Sequence, residues 1–198
     1  MKNLKIRMTF TEGILGTSPS DPELYERFIG DKAPDAPTLE EEIAAIGTEE
    51  VIEKGMTVFP RCDEGKPFLY DYQIKGFFKD ACGMLARVKT SESSKLKAYK
   101  KIIDGLIFVT PRIIPMNVPS DISTCQRPLR AQTAQGERVA LAISEEAPAG
   151  TTIELTIVML DEKYEKAVRE WLDYGILRGV GCWRNSGKGR FLWESVDE

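Results

Sequence analysis

Residues Gly179 to Phe191, Gly-Val-Gly-Cys-Trp-Arg-Asn-Ser-Gly-Lys-Gly-Arg-Phe, place four glycines and three cations (Arg184, Lys188, Arg190) around Trp183. Glycine lets a backbone come close to a phosphate or a base, and cations supply the opposite charge. The chemistry that suits this spacing is the binding of a nucleotide or a nucleic acid. Arg184, Lys188 and Arg190 would meet phosphates, joined by Arg127, Arg130 and Arg138 from the polar segment 127–138. Trp183, with Tyr70 or Tyr72, would stack on bases, and Gly187 and Gly189 would admit close backbone approach. The same run also reads as a glycine-rich turn between a helix and an edge strand. On that reading Trp183 is core or an interface anchor, and Arg127 and Arg130 pair with Glu40–Glu42.

The 198 residues contain no histidine. Serine–histidine and cysteine–histidine catalysis are excluded within one chain, as are ribonuclease mechanisms that need histidine. Carboxylate chemistry stays open. Asp71 and Asp80 flank Lys75, and Asp104 is nearby in sequence, so a metal-assisted nuclease is conceivable, but no spacing motif supports it. The expectation is a protein that is not an enzyme and needs no cofactor or metal. Cys62, Cys82, Cys125 and Cys182 are scattered without C-x-x-C spacing, which points to reduced thiols in a cytoplasm. No apolar run approaches the ~20 residues that span a bilayer. The N-terminus has no apolar signal core, so no export signal is read and no membrane partner is expected.

The net charge of −4 is not that of a general nucleic-acid binder, but it is unevenly spread. Residues 12–64 hold fourteen acids and four bases, whereas residues 66–138 hold thirteen bases and six acids. Such segregation makes a basic face on an acidic protein, or two surfaces that complement each other across the fold or between copies.

The elements that must position these residues follow from period and punctuation. Residues 3–11 alternate Leu4, Ile6, Met8 and Phe10 against Lys5, Arg7 and Thr9, a half-buried strand. Residues 13–37 read as a long loop with a short helical turn near Pro22–Ile29. A helical pattern starts at Thr38 with Glu40 to Glu42 in its first turn, and Gly47 divides it before Glu49–Lys54. Met56–Phe59 and Pro67–Tyr70 flank a turn and predict a hairpin. Tyr72 to Val88 is a helix whose core face is Ile74, Phe77, Phe78, Ala81, Cys82 and Leu85, with Lys75 and Lys79 one turn apart on another face. A second helix covers Lys95 to Asp104 and ends at Gly105. Leu106–Val109, Arg112–Met116, Val139–Ile143, Thr151–Leu160 and Phe191–Val196 read as strands. Asp161 caps a helix that runs to about Leu177, with Ala167, Val168, Trp171 and Leu172 inward. Interspersed strands and helices with mostly antiparallel links give an α+β class, a helix-backed sheet. One domain over 1–198 is expected, with 12–64 as an acidic loop and helix insertion.

Three segments, in order, resemble the RAMP superfamily, the RNA-binding subunits of CRISPR effector complexes. Phe68 to Ala81, with Lys75-Gly76, resembles the family's strand, turn and lysine-bearing helix start. Glu145 to Ile157 is similar to its "V-P-x-G-T" strand. Leu177 to Phe191 is similar to its C-terminal glycine-rich loop. Tyr72 or Gln73 stands where the family's first serine would be, and Lys188 where an aromatic is frequent. The chain is also similar in wording to uncharacterised proteins of phages and prophages. The resemblance implies a modified ferredoxin-like (RNA-recognition-motif-like) sheet. It also implies RNA near Lys75 and Gly76 in the first motif and near Gly179, Gly181, Arg184, Ser186, Gly187, Lys188, Gly189 and Arg190 in the last.

The leading expectation is therefore non-catalytic binding of RNA or single-stranded nucleic acid through a basic face, with Lys79 included, and the glycine-rich loop. The protein would act as a homo-oligomer or as one subunit of a complex. The alternative is a phage counter-defence protein. It would sequester a nucleotide signal, or occupy a host immune complex by resembling a subunit, and the acidic segment would mimic nucleic-acid charge.

Overall fold

A computed structural model describes residues 1–20, 56–133 and 136–196, with the side chains of 129–141 outside that description. In chain order the elements are β1 (Lys2–Phe10), β2 (Ile14–Leu15), β3 (Ser18–Pro19), β4 (Thr57–Val58), β5 (Phe68–Tyr70), α1 (Asp71–Leu85) and α2 (Tyr99–Leu106). They continue with β6 (Ile107–Thr110), β7 (Ile113–Asn117), β8 (Ser123–Thr133), β9 (Gly136–Ala147), β10 (Thr152–Met159), α3 (Glu165–Asp173), α4 (Gly175–Arg178) and β11 (Phe191–Ser195).

The alternation in β1 does what period 2 demands. Leu4, Ile6, Met8 and Phe10 are fully buried, while Lys5, Arg7 and Thr9 lie on the other face. β1 pairs antiparallel with β10, Leu4 opposite Ile157, and with β11, Phe10 opposite Phe191. β10 is flanked on its far side by β6 at one end and β7 at the other, and β7 pairs with β5. The order β11-β1-β10-β6, with α1 after β1 and α3 after β10, is a ferredoxin-like sheet. Ile74, Phe77, Phe78, Ala81 and Cys82 of α1 and Ala167, Val168, Trp171 and Leu172 of α3 fill the core on one face. The opposite face has no helix among the described elements, and there Arg7 bridges Glu154 and Glu194 from the neighbouring strands.

A second sheet departs from the single sheet that the sequence predicts. Its order is β2-β9-β4-β3, with β8 paired to β9 along a hairpin that runs from Ser123↔Glu146 to Thr133↔Gly136. The polar segment 127–138 is thus part of two long strands, not a link between strands. The hairpin expected around residues 61–66 does form, with Arg61 bridged to Pro67 and the Phe68 N–H donating to the Pro60 carbonyl. Its two arms then part, β4 to the second sheet and β5 to the main one.

Helix ends also differ. α1 stops at Leu85 rather than Val88. The second helix starts at Tyr99, because Ala98 stands in the left-handed region at φ 54°, and it continues through Gly105 to Leu106. The helix predicted from Asp161 to Leu177 is three pieces: a 3-10 turn at Glu162–Tyr164, α3, and α4. Asp161 does cap it, its carboxylate accepting from the Lys163 N–H at 3.0 Å. The break falls where buried Gly175 lies against the Phe191 ring and has no room for a side chain. The turn at Pro22–Ile29, the helix from Thr38 with Glu40–Glu42, and most of the acidic 12–64 stretch lie outside the described residues, as do the side chains of Arg130 and Arg138.

Candidate functional site

The glycine-rich run leaves α4 and returns to β11 as a loop closed on itself. The Val180 N–H donates to the Gly189 carbonyl at 2.9 Å, and the Gly189 N–H donates to the Gly13 carbonyl at 2.9 Å. Gly189 has φ +71°, and a Cβ there would collide with the Val180 carbonyl oxygen. Gly179 meets the Lys188–Arg190 backbone in the same way, so these glycines serve the loop's own closure. Gly187 is also buried, Gly181 is half-buried, and Ser186 turns its hydroxyl back to the Trp183 carbonyl. Trp183 has a left-handed backbone, φ 56°, and stays 37% exposed.

The cations around the loop have partners drawn from far along the chain. Lys188 Nζ donates to Glu146 Oε1 of β9 at 2.5 Å. A Cβ on Gly13 would occupy that Glu146 carboxylate's position, so the pair needs glycine there. Arg184 and Arg178 both donate to Asp80 of α1, at 2.9 and 2.8 Å, and Arg178 also reaches Asn185 at 2.7 Å. The shared carboxylate raises the Arg178 guanidinium pKa, chiefly through that hydrogen bond. Arg127 of β8 is buried, donates to the Ser144 hydroxyl at 3.1 Å and sits 5.1 Å from the Trp183 ring centroid. Ser144 in turn shares a 2.6 Å hydrogen bond with Thr57 of β4. The structure therefore brings Arg127, Trp183 and Lys188 together at the seam between loop and second sheet, while Arg184 turns to α1 and Arg190 packs against Gly187 within the loop.

Arg190 is the exception. Among the described residues it is the loop cation with no carboxylate partner, and its Nε is the one buried side-chain nitrogen or oxygen without a hydrogen-bond partner. Its guanidinium carbon lies where a Gly187 Cβ would be 3.6 Å away, so it packs flat under the loop turn.

Lys75, Gly76 and Lys79 stand elsewhere, on α1. Lys79 pairs with Asp104 at 2.6 Å, and Lys75 donates to the Asp104 carbonyl at 3.1 Å. Lys75 also places its ammonium 5.1 Å from the Phe108 ring centroid. Gly76 is exposed with nothing close to it. Asp71, Asp80 and Asp104, weighed for metal chemistry, each face cations: Arg112 at 3.7 Å, the Arg178–Arg184 pair, and Lys79. Sequence reasoning missed Asp80, Glu146 and Arg178 as the charge partners of the loop. They lie up to 104 residues from the groups they hold, and no local pattern marks them.

No family model and no curated protein matches the chain. Among solved structures the fold is similar to a chain in the cryo-EM structure of the type III-B Cmr-beta bound to cognate target RNA, with a TM-score of 0.51 and 12% sequence identity. The similarity covers 99% of this chain and 60% of that one, so the chain spans less than two thirds of its neighbour's length. What the likeness establishes is the fold, an α+β antiparallel sheet backed by helices of the kind the neighbour carries.

Proposed function

We propose that the protein binds RNA, or single-stranded nucleic acid, without catalysing a reaction, through the seam between the glycine-rich loop and the second sheet. The observation that carries this reading is Arg190. A buried guanidinium nitrogen without an acceptor costs roughly 1–3 kcal/mol, and among the described residues the Arg190 Nε is left without one. A phosphate is the acceptor that fits a forked cation. The surroundings agree. Among the described residues, Arg178 and Arg184 share Asp80, Lys188 pairs with Glu146, and Arg127 bonds a hydroxyl, so these cations outnumber the carboxylates that hold them. Trp183, held by Arg127 on the seam, offers a ring to a base. The solved structure of similar fold is described as bound to target RNA, which is consistent with the proposal. Membership of a larger complex is part of the same reading, as is a soluble setting; among the described residues no helix is long and apolar enough to cross a membrane.

The test is fluorescence anisotropy with a labelled single-stranded RNA over a salt series, for the native chain and Arg190→Met. Binding should weaken linearly on a log–log salt plot, and Arg190→Met should weaken it about tenfold or more while the melting temperature holds. Equal affinity for the variant, or an affinity indifferent to salt, would overturn the proposal.

A further inference from the structure

We infer that the connector between α1 and α2 is a second contact for the same ligand, a fixed ridge of cations that takes the phosphodiester backbone and reads no base. The inference rests on the nucleic-acid reading above and adds to it a place, far from the loop in sequence, and a mode of contact without rings.

Residues 87–101 hold six cations, Arg87, Lys89, Lys95, Lys97, Lys100 and Lys101, and one acid, Glu92. All six cations are exposed. Glu92 is committed to Lys95 at 2.8 Å. That hydrogen bond, with the charges of Lys95 and of Lys166 on α3, holds the Glu92 carboxyl below its ordinary range. The other five cations have no ion pair among the described residues. The fold does not ask for them. Lys97, Lys100 and Lys101 flank the start of α2, where the helix dipole disfavours positive charge. Like charges gathered on one segment also repel each other. A local rule broken without a gain inside the chain is the mark of a functional surface.

The backbone holds these charges on one surface. The Arg87 N–H donates to the Met84 carbonyl at 3.2 Å and carries on the last turn of α1. The Ser94 hydroxyl donates to the Lys89 carbonyl at 3.2 Å, which closes the turn that joins Lys89 to Lys95. The Glu170 carboxylate of α3 accepts from the N–H groups of Glu92 and Ser93. Ser91 and Ser93 are buried and Leu96 packs on the core, so the connector has one inner side and its cations stand on the other. The Lys101 N–H donates to the Ala98 carbonyl at 2.9 Å, which turns the start of α2 back beside Lys97. Arg87 also follows Asp80 by seven residues, near the same face of α1 and about 10 Å along it. Asp80 is the carboxylate that Arg184 of the glycine-rich loop holds. The ridge therefore starts two helical turns from the loop, and one strand can lie on both.

Composition identifies the ligand. Protein interfaces are depleted in lysine and centred on apolar and aromatic side chains. Here Met84 and Val88 are the exposed apolar residues beside the cations. Tyr99, the one aromatic residue of the segment, is half-buried with its hydroxyl against Gly83. A row of cations without a free ring suits a chain of phosphates and is indifferent to the bases.

The experiment uses the full chain with a labelled oligouridylate of about 16 nucleotides and with an RNA duplex of comparable length, each over a salt series. The test variant carries Arg87→Gln, Lys89→Gln and Lys97→Gln, which break no ion pair among the described residues; Lys95 is left on Glu92. A control variant carries Lys2→Gln, Lys66→Gln and Arg112→Gln, the same change of charge placed on and beside the main sheet. Arg190→Met is measured in parallel. The test variant should bind both ligands about tenfold or more weakly near 0.1 M salt, and its log–log salt slope on the single strand should be shallower by about 2. Its melting temperature should hold, and the control should bind like the native chain. Weakening by Arg190→Met with the test variant unchanged would overturn the ridge while the loop reading stands. The converse would support the ridge and overturn the loop reading. Equal losses in test and control variants would overturn the ridge in favour of the general charge of the protein. A loss on the single strand alone would overturn backbone contact as the mode. A test variant that keeps its RNA affinity but loses self-association in light scattering would give the ridge to an acidic surface of a second copy and overturn the proposal. No binding by the native chain would overturn both contacts.

Discussion

At the residue scale, Lys188 and Arg190 are two positions apart and differ in kind. Lys188 is committed to Glu146, and both side chains are less than a quarter exposed. Lys188→Ala strands a half-buried carboxylate and should cost about 1 kcal/mol of stability, read as a lower urea midpoint. Arg190→Met removes an orphaned donor and should cost none, or raise the midpoint. Gly189→Val meets both a left-handed backbone and the Val180 carbonyl, so it should cost roughly 2 kcal/mol or more; a midpoint within error of the native one would contradict the loop's closure. The sequence showed that Gly189 and Arg190 belong to one special loop. It could not show which cation was paired, since the partner carboxylates come from α1 and β9.

At the element scale, the segment after α1 has no regular structure of its own until Ser93, and one side chain of α3 fastens it. The Glu170 carboxylate accepts from the N–H groups of Glu92 and Ser93 and from the Ser93 hydroxyl, at 2.8, 3.0 and 2.6 Å. Trp171 Nε1 donates to the same hydroxyl at 2.9 Å. Glu170→Ala should therefore cost roughly 2–3 kcal/mol and should speed hydrogen exchange at the Glu92 and Ser93 amides; unchanged exchange there would mean that the clamp is incidental. Beneath this clamp, burial pushes the Cys82 thiol above its ordinary range. Cys182, exposed in the glycine-rich loop, should react with a maleimide at neutral pH, whereas Cys82 should react only after denaturation.

At the scale of the whole molecule, surface charge sets the response to acid. The carboxyls of Asp104, Glu92 and Asp161 are held below their ordinary values, first by hydrogen bonds from Lys79, Lys95 and Lys163. A lowered carboxyl pKa stabilises the fold above the unfolded value, near ~4, and that share is lost as pH falls through the folded value. All three groups are exposed, so the share is modest. Melting temperatures should hold between about pH 7 and 5 and fall below about 4, and a variant with Asp104→Asn, Glu92→Gln and Asp161→Asn should fall less.

The sheet's main strands were legible because β1 from Leu4 and β10 from Ile153 bury every second residue, and α1 and α3 bury one clean face. The second sheet was not. β2, β3 and β4 are two residues each, too short for any period, and β8 with β9 carries polar residues through its middle. Tyr70 and Tyr72 were singled out, but their packing against each other was not legible, for another reason. Two tyrosines at i and i+2 stack only because a strand becomes a helix between them.

The place of β1 has a consequence for synthesis. It lies between β10 and β11, and its partners are residues 152–159 and 191–195. At ~5–20 residues per second, a strand whose inner face is Leu4, Ile6, Met8 and Phe10 leaves the ribosome before both of its neighbours and waits on the order of ten seconds or more for either of them. Contacts this distant in sequence also slow the closing of the sheet once the chain is free. During that interval the nascent chain presents an unpaired apolar strand with both edges open, the condition under which a chaperone or a neighbouring nascent chain would bind first.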